Sequence, residues 1–146
     1  MSYSEGTLWN YITELDASRV AINTYVESNS VTSDLMNSYA WDTAIVYIQQ
    51  AGNTNYANKT RAHTSLSNTG NLAEGVKDEV CKINDMASNL NEWTTEYSSG
   101  TNSSLANPCV LRGGNFSYSN RYTAYRSYYN ATYSNSSIGF RLSLYL

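Results

Sequence analysis

Leu111-Arg112-Gly113-Gly114-Asn115-Phe116 and, further on, Ile138-Gly139-Phe140-Arg141-Leu142 are the two stretches on which the fold turns. Between them lies a segment almost without aliphatic side chains. From 115 to 137, 6 Tyr, 6 Ser, 4 Asn and 2 Thr occupy 18 of 23 positions. Such a segment buries too little apolar surface to offset the entropy of ordering it. It must be carried by its neighbours, and the two bookends read as the strands that carry it. Phe140, Leu142 and Leu144 alternate as a half-buried final strand does. Gly113 and Gly114 allow a bulge or a close backbone approach.

Working upstream, 108–112 reads as a strand antiparallel to Trp93-Thr94-Thr95-Glu96-Tyr97, which also alternates. Trp93, Val110, Phe140 and Leu142 are the expected core. Residues 98–107 read as a loop, and 76–80 as a short strand. Residues 52–75 are rich in Asn, Thr, Ser and Gly, which predicts a long loop with one short turn. His63 within it has no evident partner. Before that loop a helix is expected, capped by Thr32 or Ser33 with Asp34 in its first turn. Leu35, Met36, Tyr39, Ala40, Ala44, Ile45 and Ile48 form its apolar face, and Gly52 ends it. Trp41 on this helix reads as core. Leu8, Trp9, Ile12 and Leu15 predict an earlier amphipathic helix over 4–17, capped by Ser4 or Thr7. A helix tail or short strand follows, then a loop at 27–30.

The 146 residues fit a single domain, 1–146, long enough to bury roughly 70% of its unfolded surface. A net charge of −3 without a basic tract argues against nucleic acid and anionic membranes as partners. No apolar run approaches the roughly 20 residues of a membrane span, and the polar 1–6 stretch does not read as a signal peptide. Cys81 and Cys109, the only cysteines, are either free thiols or one disulfide closing 27 residues, worth about 3 kcal/mol in the chain-entropy model. Tyr outnumbers Phe 14 to 2. Tyrosine suits strands, but it also gives recognition surfaces large contact area with a polar tip. Five Asn-x-Ser/Thr sequons, at Asn58, Asn102, Asn115, Asn130 and Asn135, are expected by chance at this composition.

Arg112-Gly113-Gly114-Asn115-Phe116, then Arg126, then Gly139-Phe140-Arg141-Leu142 resemble the C-terminal signature of formylglycine-generating-enzyme-like domains. Asn84-Asp85-Met86-Ala87-Ser88-Asn89-Leu90-Asn91-Glu92-Trp93-Thr94 is similar to an upstream block of the same family, and Ser38-Tyr39-Ala40-Trp41-Asp42 to one of its helices. The resemblance covers roughly 32–146. It implies an α+β chain with the C-type lectin fold: two helices on a small, mostly antiparallel sheet with long loops. It implies an N-terminal strand ahead of the first helix, whereas this chain reads as starting almost at the helix. In oxidase members two cysteines follow the Arg-Gly-Gly block and bind copper. Those positions fall near Tyr118 and Thr123, neither a thiolate, so no oxidase chemistry is expected. In some members the upstream block forms a calcium-binding turn, to which Asn89 and Glu92 would correspond. Two such side chains are few for an ion that takes six to eight oxygens, and they serve equally well as turn hydrogen-bonders. No other cofactor is implied. Arg112, Arg126 and Arg141 match recurrent family positions and read as structural.

No Ser-His-Asp set assembles around one distant His, and 113–146 contains no Asp or Glu. A non-catalytic binding face is therefore expected, displaying Tyr118, Asn120, Tyr122, Tyr125, Ser127, Tyr128, Tyr129, Asn130, Tyr133 and Asn135. The same fold and signature occur in variable proteins of diversity-generating retroelements, where adenine substitution in Asn codons yields Tyr, Ser, Thr, Asp, His, Ile and others, and the Asn, Ser, Tyr and Thr found here fall within that range. Ordinary binding faces share that composition. Both origins stay open, as does a structural module of a phage or surface protein, or a degenerate enzyme relative. The implied partner is a protein or glycan receptor, and the implied location a virion or cell surface.

Overall fold

The computed structural model describes residues 3–4, 7–25, 31–67, 77–98, 104 and 106–145. The loop expected at 27–30, Val76 and the Asn102 sequon lie outside the described residues.

Trp93 decides where the molecule's two layers lie. It sits on β6 (Asn91–Tyr97), a central strand of a four-stranded sheet. On one side β6 pairs antiparallel with β7 (Cys109–Arg112), which pairs antiparallel with β8 (Arg126–Tyr129). On the other side β6 pairs parallel with β9 (Ile138–Phe140). The buried apolar residues fall into two clusters, one of them on the face of this sheet that Trp93 shares. Trp93, Cys109, Leu111, Ile138 and Phe140 join Leu35 and the helical Ala17 and Ala21 on one face. Trp41, Ile45, Ile48, Tyr56 and Met86 form the second cluster. The expected core residues Trp93, Val110 and Phe140 are buried, and Leu142 is partly buried.

The second helix, α2 (Ser38–Gln50), starts later than expected. Its cap is Asn37, whose Oδ1 accepts from the Ala40 N–H at 2.8 Å. Trp41, Ile45 and Ile48 at i, i+4 and i+7 are its buried stripe. Gly52, at φ 112°, lies just beyond its end. The residues expected as its first turn instead form β3 (Thr32–Leu35), antiparallel to β10 (Leu142–Tyr145). Leu35 is fully buried, and local helical spacing loses to this pairing across the whole chain. Of the last strand's alternation, Phe140 is buried but Leu144 is exposed, because the chain switches partner from β6 to β3 at Arg141.

The first helix is also displaced. A short hairpin, β1 (Tyr3–Ser4) with β2 (Thr7–Leu8), precedes it, so strand structure does come before the helix. α1 spans Glu14–Asn23, capped by Thr13, whose Oγ1 accepts from the Asp16 N–H at 3.1 Å. Ala17 and Ala21 let it sit close to the sheet. Residues 9–13 are irregular rather than helical, with Tyr11 at φ 55°, and Asn10 and Tyr11 bond the C-terminal segment. Asn10 Nδ2 donates to the Ser136 carbonyl at 2.7 Å, and the Tyr11 N–H to that of Asn135 at 3.3 Å.

The 52–67 loop holds one 3-10 turn, η1 (Tyr56–Asn58), as expected. β4 (Glu79–Val80) and β5 (Ile83–Asn84) form a two-residue hairpin through Cys81 and Lys82, both at positive φ. Cys81 and Cys109 are free thiols, the first half-buried and the second buried. Among the described residues no helix is long and apolar enough to cross a membrane.

Candidate functional site

A belt of buried polar groups runs along β6, and from Asn91 it reaches the Tyr-rich segment. Glu92, fully buried on β6, receives both Arg141 Nε at 2.9 Å and Arg141 Nη2 at 3.1 Å. Burial pushes the Arg141 guanidinium down, but Glu92 outweighs it and the net shift is up. Arg141 also donates to the Asn84 carbonyl at 2.6 Å. Asn91 is the hub of the belt: its Nδ2 donates to the Gly113 carbonyl, and its Oδ1 accepts from Asn115 Nδ2 and Arg121 Nη1. Asn115 Oδ1 in turn accepts from the N–H groups of Ser117 and Tyr118, at 2.9 and 3.0 Å, and starts the excursion with an Asx turn.

Glycine is required where this excursion crosses the upstream block. A Cβ on Gly113, which sits at φ 83°, would come within 2.5 Å of the Met86 carbonyl oxygen. One on Gly114 would collide with the Ala87 carbonyl. Further along, the N–H groups of Thr123 and Ala124 donate to the Lys59 and Ala57 carbonyls at 3.0 and 3.1 Å. Trp41 Nε1 donates to the Thr123 carbonyl at 3.1 Å. The return half turns on Asn130 and Asn135, whose Oδ1 atoms accept from the N–H groups of Thr132 and Ser137. The backbone of the segment is thus pinned from both ends, while many of its side chains are left outside.

Of the ten residues expected on the face, Tyr118, Asn120, Tyr122 and Asn130 are exposed; Tyr125, Tyr128, Tyr129, Tyr133 and Asn135 are half-buried. Ser127 is a correction. It is only 8% exposed, because on β8 it pairs with Leu111 and so shares the core-facing side. Asn115, Thr123 and Ser137 within the segment are likewise buried. The rings fall into two groups. Tyr122 and Tyr125 meet edge to face at 5.7 Å, and Tyr129 stacks on Tyr133 at 4.2 Å. Between them opens a shallow dish of about 460 Å³, lined by Arg121, Tyr125, Arg126, Ser127, Tyr128 and Tyr129. A crevice of about 30 Å³ adjoins it, where Tyr118, Arg121, Tyr133 and Asn135 meet Asn91. Asn120, Tyr122 and Asn130 line neither.

Two residues of this face went unread in the sequence. Arg121 borders both hollows, its guanidinium 4.4 Å from the Tyr118 ring centre and 5.2 Å from that of Tyr125. The available signal was elimination, since Arg112, Arg126 and Arg141 already had structural roles. Tyr11 lies far off in sequence, is 67% exposed and adopts φ 55°, an unfavourable conformation for a bulky side chain. Its N–H bond to Asn135 brings it to the edge of the face.

Arg112 and Arg126 bond carboxylates, and Arg112 also bonds a backbone carbonyl. Arg112, fully buried, bonds Asp42 and donates to the Ala124 carbonyl at 3.3 Å. Burial, then Arg126, holds its pKa below the ordinary arginine value. Arg126 reaches Glu96 at 3.1 Å and Asp42 at 3.3 Å. Asn89 and Glu92, the candidate calcium residues, are engaged elsewhere. Asn89 bonds Ser67 and Asp85, and Glu92 holds Arg141. His63, expected to lack a partner, is buried: its Nδ1 lies 2.8 Å from the Ser65 carbonyl and its Nε2 3.6 Å from Asp85 Oδ1. Asp85 raises its pKa above the usual histidine value against the opposing effect of burial.

No protein-family model matches the chain, and a search of the curated proteins finds no match.

Proposed function

We propose that the chain is a non-catalytic ligand-binding domain with a C-type lectin-like architecture, whose Tyr/Ser/Asn segment is the binding face. One observation carries the reading: the segment's backbone is bonded by the Asn115 side chain, the Lys59 and Ala57 carbonyls and Trp41, while rings such as Tyr118 and Tyr122 stand out at 49% and 40% exposure. Clustered exposed aromatics mark interaction sites, and a rigid backbone lowers the entropy lost on binding. The dish offers arginines and tyrosines but no carboxylate base, and His63 is buried against Asp85, which supports binding over acid-base catalysis. The partner in this reading is a receptor on a host or neighbouring cell, and the domain is carried on a virion or cell surface. The Asn, Ser, Tyr and Thr mixture agrees with a variable protein of a diversity-generating retroelement.

The test is selection of binders from a displayed random peptide library by the full chain. Tyr122→Ala and Tyr125→Ala should each weaken the selected binders, with one acting as a hot spot of about 2 kcal/mol or more. Selected binders that ignore both changes would overturn the reading.

A further inference from the structure

The charges around the dish do not balance. Arg112 and Arg126 face Asp42 and Glu96, two cations against two carboxylates. Arg121 is the surplus. Among the described residues, no carboxylate lies within ion-pair distance of it, and its one hydrogen bond goes to the neutral Asn91 amide at 2.8 Å. The sequence supplies no local counter-charge, because 113–146 contains no Asp or Glu. Arg121 nevertheless has a defined place, held between the Tyr118 and Tyr125 rings and anchored by a buried amide. A guanidinium carries five N–H donors in a fixed fork that matches a carboxylate, and Asn91 accepts from only one of its nitrogens. An arginine held in place but without an anionic partner, at the junction of two hollows in an aromatic face, has the form of an anchor awaiting an anion.

We infer that the ligand of this face is a protein segment presenting an Asp or Glu carboxylate, which docks on Arg121 between Tyr118 and Tyr125. This rests on the binding-face reading and adds the chemistry of the partner. Protein is favoured over acidic polysaccharide because the surrounding rings are split between an edge-to-face pair and a stacked pair. That arrangement leaves an uneven surface for mixed side chains rather than one flat platform for a sugar ring.

The experiment compares peptide selections on the wild-type chain and on Arg121→Gln, which keeps an amide donor for Asn91. Peptides selected by the wild type should be enriched in Asp or Glu, and the enrichment should vanish on Arg121→Gln. For one selected peptide, Arg121→Gln and replacement of the peptide's acid by its amide should each weaken binding at least about tenfold. Making both changes should cost little more than making either. Arg121→Lys should recover only part of the loss, lacking the fork and the stacking. Peptides that depend on Tyr122 and Tyr125 yet carry no acid would overturn this inference and leave the binding face standing. Acidic enrichment that persists on Arg121→Gln would also overturn it. Arg121-dependent binding of polygalacturonate with no peptide selected would overturn the protein partner in favour of a glycan. Failure to select any peptide or bind polygalacturonate would overturn both readings together.

Discussion

Asn91 and Asn130 are the same residue type in two different situations, and so are Tyr56 and Tyr122. Inside the framework, Asn91 is buried with both ends of its amide bonded, and Tyr56 is buried with its hydroxyl donating to Asp78 at 3.1 Å. Burial, with Asp78 beside it, raises the Tyr56 pKa well beyond the ordinary tyrosine value. On the face, Asn130 and Tyr122 stand in solvent. Composition alone therefore does not separate framework from display in this chain. What separates them is whether each polar atom has a partner inside, and a buried polar group without one is costly.

The largest effects should come from removing one partner of a buried pair. Glu92→Ala leaves the Arg141 guanidinium enclosed without its carboxylate, and should cost about 3–5 kcal/mol. Phe140→Ala, which opens a cavity beside Trp9 and the rest of the core, should cost a similar 3–5 kcal/mol or so. Urea denaturation measures both. A loss below about 1 kcal/mol for Glu92→Ala would mean that the polar belt does not support the face and would break the comparison at its base.

Next in size is Gly114→Ala. Its added methyl meets the Ala87 carbonyl rather than a movable side chain, so the backbone must shift. Overpacking of this kind should cost about 1–3 kcal/mol, and circular dichroism melts would show it. This contact also marks how far the sequence could be read. Gly113-Gly114 announced a close backbone approach, β6 was legible from alternation, and Ile45 and Ile48 from the helical stripe, although Tyr39, read on the same stripe, is 88% exposed. The strand nature of Leu35 was not, because its partner Leu142 lies at the other end of the chain. The 8–15 spacing of Leu8, Trp9, Ile12 and Leu15 imitated a helix, but bonds from Asn10 and Tyr11 to the Ser136 and Asn135 carbonyls hold the region before Thr13 on a non-helical path. At the candidate site the displayed tyrosines could be located within a segment, but Ser127 could not be assigned inward without the β7–β8 register. Nor could Arg121 be placed without the two rings that flank it.

His63 sharpens the same contrast through pH. Its folded pKa is raised above 6.5, with Asp85 as the first cause. A raised pKa means that protonation favours the folded state. The contribution is fully present below the unfolded value of about 6.5 and is lost as pH rises through the higher folded value. The melting temperature of the wild type relative to His63→Gln should therefore be higher at about pH 6 than at about pH 8.5. The opposite slope would show that burial, not Asp85, governs this ring.

The smallest effects should divide the face itself. Tyr129 pairs in register with Cys109, packs against the core cluster and stacks on Tyr133 at 4.2 Å. Tyr129→Ala should cost about 1–2 kcal/mol, the stacking term adding to lost burial. Tyr122 is 40% exposed, meets Tyr125 edge to face at 5.7 Å, and makes its bridge to Thr60 through backbone. An alanine there keeps that bridge, so Tyr122→Ala should change stability by less than about 1 kcal/mol. The pair of melts separates two kinds of tyrosine that the sequence presents as one run. If Tyr122→Ala costs as much as Tyr129→Ala, then Tyr122 is a framework residue that happens to show one edge to solvent. The display face would then lose Tyr122 and centre on Tyr118, Tyr125 and Arg121.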